Sequence, residues 1–258
     1  TPYPTLFPYT TLFRSNQRIH IAPVGFEIDR IVIPAEQMKA DLVYLVVHDN
    51  LSDDKAGKYH LEIQKVLKKK KIKTETVYAN RFQLFDIIRV IKEVIQNHRK
   101  DEFYVNVASG SKIHAIGCMM ACMVFDDRKR IHPFYPQAES YPVYKANEQQ
   151  TYGVKEIFGL PTYQLLTPKP DLLAALKIIK EHDGRIQKKV LAKEAEERKI
   201  LNIGARKENH SNALFASLDK KIIQPLLNTW GFIEEEKIGK NRWIYFSDDG
   251  KNASEFLF

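Results

Sequence analysis

Between Arg18 and Pro136 the chain alternates β-rich and helical runs, and this alternation restricts the fold more than any other feature. RIHIAPVG (18–25), DLVYLVVHDN (41–50), Thr74–Ala79, Phe103–Ala108 and Arg130–Pro136 read as strands. Helical patterns lie between them at 27–40, Lys58–Lys70, Phe82–Asn97 and Lys112–Phe125, and Asp53 and Asp54 are expected to open and cap the second of these. Parallel neighbours need crossover connections of this length, so the expected fold class is α/β, a parallel sheet with helices on both faces. Pro34 lies inside the first helical pattern and predicts a kink or an early end. In such sheets ligands sit outside the carboxyl ends of the strands. Pro23–Glu27, His48–Ser52, Asn80–Phe82 and Ala108–Lys112 all fall there.

One of these junctions stands out. FYVNVASGSK (103–112) runs from an apolar strand through a small-residue turn straight into a helix. Ser109, Gly110 and Ser111 leave the backbone bare, and the free N–H groups of a helix start favour an anion, with Lys112 adding a charge. The same residues also read as a plain tight connection with Ser111 as N-cap. The stretch alone does not separate these readings.

Residues 1–15 (TPYPTLFPYTTLFRS) show neither helical nor strand periodicity, and TLFPYTTLFRS looks like the translation of a sequencing adapter. They are expected to be non-native and are set aside from fold reasoning; a signal peptide fits poorly, since Pro8 interrupts any apolar core. No apolar run reaches the roughly 18 residues of a membrane helix, so no membrane partner is expected. Two cysteines give no disulfide framework, which suits a reducing cytoplasm. The net charge of +8 and pI near 9.2 point towards polyanionic partners.

After residue 135 the texture changes twice. Residues 136–170 are rich in proline and tyrosine and read as an extension of the 16–135 domain leading into a linker. From 171 to 258 the order is helix (171–182), helix (186–200), helix (211–230), then a ribbon of 232–239 and 242–247. That is the order of a winged helix-turn-helix, in which the third helix reads the major groove and the ribbon touches flanking backbone. Over residues 168–258 there are 17 Lys plus Arg against 14 Asp plus Glu, so the positive charge must be segregated to form a DNA surface. Arg206, Lys207, His210, Ser211 and Asn212 precede or open the third helix, Lys220 and Lys221 follow in it, and Lys240 and Arg242 flank the wing. Glu194, Glu196 and Glu197 are expected to lie away from them. Short polar side chains at a recognition-helix start suit base edges, and wing cations suit phosphates.

HIAPVGFEIDRIVIPAEQMKADLVYLV and YVNVASGSKIHAIGCMMA, followed by the winged helix order, resemble archaeal regulators that join a CRISPR-associated Rossmann-fold (CARF) domain to a C-terminal winged helix, the haloarchaeal-type branch above all. The resemblance implies a Rossmann-like sheet and a homodimer whose paired domains hold a small nucleotide ligand of the cyclic oligoadenylate kind. It places the ligand motifs at Pro23, Val24, Gly25, Phe26 and Glu27, and at Asn106, Ala108, Ser109, Gly110, Ser111 and Lys112. The usual Gly-Gly-Thr before the lysine is replaced by Ser109, Gly110 and Ser111, which leaves the ligand's identity open.

Other constellations are weaker. His114, Cys118 and Cys122 share one helix face, but their apolar neighbours favour core packing over zinc. No dinucleotide, P-loop or Ser/His/Asp pattern occurs, so no cofactor is expected. The favoured function is a ligand-responsive DNA-binding regulator. A ring nuclease using Ser111 or Lys112, and an interaction module with a vestigial pocket, are the alternatives.

Overall fold

The computed structural model describes residues 16–258 apart from 126–129, 144, 146–147, 164–166 and 205–208, together with the backbone but not the side chain of residue 256. The N-terminal segment 1–15, and with it the adapter reading, lies outside the described residues. The chain divides into two compact units, Thr1–Leu165 and Leu166–Phe258.

The first unit carries β1 (Arg18–Pro23), α1 (Asp29–Gln37), β2 (Leu42–His48), α2 (Gly57–Lys69), β3 (Lys73–Ala79), α3 (Leu84–Asn97), β4 (Glu102–Asn106), α4 (Lys112–Val124), β5 (Ile131–Gln137) and β6 (Glu156–Gly159). The sheet order is β3-β2-β1-β4-β5-β6, with β6 antiparallel to β5 and the other pairs parallel. This is the Rossmann order, in which the chain winds outward from β1 and then returns to its other side. β2 is buried along its whole length, as a strand covered on both faces must be. Val43, Leu45 and Val47 pack with Ile31, Ala35, Ile63 and Leu67 of α1 and α2. On α3, the buried stripe Ile87, Ile88, Val90, Ile91 and Val94 recurs at helical spacing.

Two expectations change here. The sheet does not stop at 135, because the short strand Glu156–Gly159, inside the segment read as extension and linker, closes its edge. Asp53 and Asp54 do not cap α2, which starts at Gly57 after Ala56. Asp54 instead accepts the Ala56 N–H at 2.9 Å and pairs with Arg81. Pro34 stays inside α1, which ends three residues later.

The second unit carries α5 (Pro170–Glu181), β7 (Arg185–Gln187), α6 (Lys188–Glu197), α7 (His210–Leu218), β8 (Ile233–Ile238), β9 (Asn241–Phe246) and α8 (Asp248–Leu257). After α7 the helical path continues as two π-helical turns, Asp219–Ile223 and Pro225–Thr229. The single helix expected over 211–230 is therefore widened in its second half. Pro225 has no N–H to give the Lys221 carbonyl, and i→i+5 bonds on either side, Gln224 to Asp219 and Trp230 to Pro225, carry the turn past it. Leu172, Leu176, Ile179, Leu191, Leu218, Ile222, Leu226, Ile233 and Ile244 build the core. β7 and α8 were not expected from the sequence; β7 joins the ribbon in the order β7-β9-β8.

Candidate functional site

The strand order reverses between β1 and β4, and the two connections leaving their carboxyl ends meet there. A methyl group on Gly25 would lie 2.9 Å from the Cα of Gly110, and one on Gly110 would lie 2.7 Å from the Cβ of Pro23. Gly110 also has φ of +78°, a conformation that L side chains rarely adopt. The two loops can touch only because both positions lack side chains.

Ser111 caps α4. Its Oγ accepts the His114 N–H at 3.3 Å, and the His114 ring nitrogen Nδ1 accepts the Ser111 N–H at 3.2 Å. The plain N-cap reading of ASGS is thus present in the structure. This box uses the amides of Ser111 and His114, so in the first turn the N–H groups of Lys112 and Ile113 have no acceptor within the helix. Ser111 and Lys112 are exposed, Ala108 and Gly110 partly so, and Ser109 is buried.

The other residues of the two motifs hold structure. Pro23 and Val24 are buried, with the Val24 N–H donating to the Val46 carbonyl at 2.8 Å. The Phe26 ring lies 5.4 Å from that of Tyr59. Glu27 is buried, ion-paired with Arg30 at 3.0 Å and bonded by the Thr151 hydroxyl at 3.2 Å. Arg30 in turn donates to the Pro136 carbonyl and lies over the Tyr135 ring. Asn106 is buried with both ends of its amide in use: Nδ2 donates to the Arg30 carbonyl at 2.8 Å and Oδ1 accepts the Ala108 N–H at 2.9 Å.

Beside the loop stand three side chains to which sequence reasoning gave no part in the ligand site. His48 ends β2, Arg81 follows β3, and His114 lies under the cap with 3% exposure. Burial pushes the His114 imidazole down to about 4, and the charges of Arg81 and His48 add to this against the opposing carboxylate of Asp54. The only sequence signal was position, since 48–52 and 80–82 leave the carboxyl ends of their strands. Cys118 and Cys122 are both buried, and burial pushes the Cys118 thiol up to about 12. Among the described residues no group of three His, Cys, Asp or Glu could hold a metal ion, and no helix is long and apolar enough to cross a membrane.

In the second unit, Ser211 and Asn212 open α7 on its exposed side, and Lys220, Lys221 and Lys240 are exposed as well. Arg206 and Lys207 lie outside the described residues. The expected separation from Glu194, Glu196 and Glu197 fails at His210, and a second acidic contact, which the sequence reading did not address, falls on the wing. His210 Nε2 lies 2.8 Å from Glu196 of α6, because α6 and α7 pack together, and Arg242 lies 3.4 Å from Glu235. Glu235 also accepts from the buried Lys188 at 3.0 Å. Burial pushes its carboxyl upward, but Lys188 and Arg242 outweigh this and hold it below the usual range. In the ribbon Lys237 stands directly opposite Arg242, across a two-residue turn at Gly239 and Lys240 with Gly239 at φ of +62°.

Residues 18–141 match the HFX_2341-like N-terminal domain family, and residues 171–257 match the DUF6293 C-terminal winged helix domain. The uncharacterized protein MJ1513 of Methanocaldococcus jannaschii is 30% identical over 185 residues, 62% of this chain and 55% of that protein. The chain thus spans little more than half the length of that relative. Among solved structures it is similar to Enterococcus italicus Csm6 bound to cyclic hexa-2′-fluoro-hexa-dAMP, at 10% identity and TM-score 0.43 over 84% of this chain and 57% of the other. It is also similar to Can2 from Sulfobacillus thermosulfidooxidans in complex with cyclic tetra-adenylate, at 11% identity and TM-score 0.40 over 93% and 63%. The Rossmann-ordered first unit and the winged helix second unit are thus each matched by a domain family of its own, an HFX_2341-like N-terminal domain followed by a DUF6293 C-terminal winged helix domain, in the order that the sequence motifs resemble.

Proposed function

We propose that this protein is a ligand-responsive DNA-binding transcriptional regulator. Its first unit senses a nucleotide ligand of the cyclic oligoadenylate kind, and its second binds DNA. The observation that carries the reading is the contact of Gly25 with Gly110 at the point where the sheet order reverses. Beside that contact the rim formed by the Ala108–Lys112 loop offers the Lys112 and Ile113 amides, the Ser111 hydroxyl and the Lys112 ammonium to an anion. Homodimerisation is supported by the outer face of α4, where Ile113 and Ile116 are 36% and 50% exposed next to that rim. A second copy covering this face would bring two such rims together.

DNA binding is supported by the ribbon. Like charges directly opposite one another destabilise a strand pair, and Lys237 faces Arg242 in that way. A phosphate between them would relieve the repulsion. Ser211 and Asn212, exposed at the start of α7, are the candidates for base contacts.

Fluorescence anisotropy on DNA from upstream of the protein's own gene, with and without cyclic oligoadenylates of different ring sizes, tests the whole reading. The expected result is sequence-preferring binding whose affinity shifts several-fold with one ring size. DNA binding indifferent to every ligand, or no DNA binding, would overturn it.

A further inference from the structure

Two buried donors lie past the carboxyl ends of the strands, His114 in the first turn of α4 and Arg81 just after β3. His114 Nδ1 accepts the Ser111 backbone N–H, which can only donate, so the neutral ring carries its proton on Nε2. Burial, with the Arg81 charge adding to it, keeps the ring neutral near pH 7. Nε2 is therefore a donor, it is fully buried, and among the described residues it has no acceptor. Arg81 repeats the pattern. Its terminal Nη2 is bound to Asp54, whose carboxylate side chain is 3% exposed, while its Nε–H is buried with no partner among the described residues. The starts of α3 and α4 lie side by side, since a methyl group on Gly117 would lie 3.5 Å from Leu84 Cδ1, and Arg81 and His114 each stand three residues before that contact, which puts the two donors in one neighbourhood. Ser109 Oγ, in the Ala108–Lys112 loop, is a third buried polar atom lacking a partner.

Buried donors without acceptors are costly, and native proteins rarely keep several together unless something else fills the place. What fits here is a group rich in acceptors and poor in donors. The residue after Arg81 narrows the class further. Phe82 is 73% exposed, and its ring stands at 90° to that of His48 with the centroids 5.6 Å apart, so most of its surface is open to a flat partner.

We propose that His114 Nε2 and Arg81 Nε form an inner phosphate subsite, and that Phe82 is the platform on which the base of the same nucleotide stacks. The inference rests on the sensing role proposed above and deepens it. Lys112 and the cap hold one phosphate at the rim, Arg81 and His114 hold a second beneath it, and Phe82 makes the site selective for nucleotides over simple anions.

The test uses the full chain, isothermal titration calorimetry, and five probes: inorganic phosphate, AMP, GMP, CMP and UMP. His114→Asn keeps an acceptor where Nδ1 stands and deletes Nε2. Arg81→Lys keeps the charge beside Asp54 and deletes the Nε–H. Each is expected to weaken phosphate and mononucleotide binding about tenfold with an unchanged melting temperature. Phe82→Leu, at an exposed position that cannot unfold the core, is expected to weaken the mononucleotides about tenfold and leave inorganic phosphate unchanged. If all three variants bind every probe like the parent while Lys112→Ala does not, the inner subsite is wrong and the rim site stands. If the three lose affinity while Lys112→Ala does not, the rim site is wrong and the inner one stands. A parent protein that binds none of the five probes overturns the inner subsite outright.

Discussion

The side-chain amide of Asn106 donates to the main-chain carbonyl of Arg30 at 2.8 Å, and that carbonyl is the one Pro34 leaves without a helical partner. A proline within a short buried helix and an asparagine at the end of the neighbouring strand thus answer each other. Asn106→Leu strands the carbonyl and also frees the Ala108 N–H, so stability should fall by about 1–3 kcal/mol. Pro34→Ala supplies a helical donor to Arg30, and in that background the same change should cost less, with a coupling of about 1 kcal/mol in a double-mutant cycle read by urea denaturation. Additive losses would show that the two residues act independently.

Lys112 is predicted to matter for binding and not for folding, because its side chain is exposed at the first position of α4. Lys112→Ala should reduce the affinity for a phosphate-bearing ligand by at least ~1.5 kcal/mol in calorimetry, the lower range for a charge-assisted hydrogen bond, and leave the melting temperature in place. Incubation with labelled cyclic oligoadenylates should return them intact; linear products would make the protein a ring nuclease.

Two histidines give stability a pH dependence of known sign. Burial pushes His20, between the rings of Tyr104 and Phe134, down to about 3, with Arg18 adding to the effect, and His114 lies at about 4. An unfolded histidine titrates near 6.5, so below that the unfolded chain binds more protons than the folded one. Stability should be full above about pH 6.5 and fall as the pH drops towards 3, with a slope approaching about 1.4 kcal/mol per pH unit for each group. Urea titrations at pH 7, 6 and 5 measure it. His20→Leu should flatten the slope; an unchanged slope would assign the effect elsewhere.

At the wing, Lys240 and Arg242 should touch phosphates and not bases. Neutralising both should weaken operator and random DNA alike and reduce the slope of log K against log salt by roughly 0.9 per lost contact. Glu235→Gln removes the carboxylate that engages Arg242 at 3.4 Å, so it should strengthen DNA binding at low salt. Changes at Ser211 or Asn212 should cost about 1–3 kcal/mol on the operator only. Wing variants that alter sequence preference and keep the salt slope would move base reading from α7 to the ribbon.

The parallel part of the fold was legible because each strand from Arg18 to Gln137 announces itself by a β-rich run and each crossover by its helical period. The Ser111 cap was legible for the same local reason. Glu156–Gly159 and Arg185–Gln187 were not, since strands of four and three residues have too short a period to read and exist through their partners, Phe134–Gln137 and Trp243–Tyr245. α8 escaped because its polar composition resembles a loop; the Ser247 cap on the Gly250 N–H was its one signal. At the site, small residues were visible as bare backbone. The roles of Arg81 and His114 were not, because a donor is left over only when every neighbour has been counted.

The bare contact between Gly25 and Gly110 also limits how such a protein can change. With their backbones touching, the β1–α1 and β4–α4 connections form one mechanical piece, and neither can be lengthened or bulked without displacing the other. A new ligand preference is then open to the outward side chains, Lys112, Arg81 and Phe82 among them, while the two glycines stay as they are. Recognition in this chain can be rewritten around the joint but not through it.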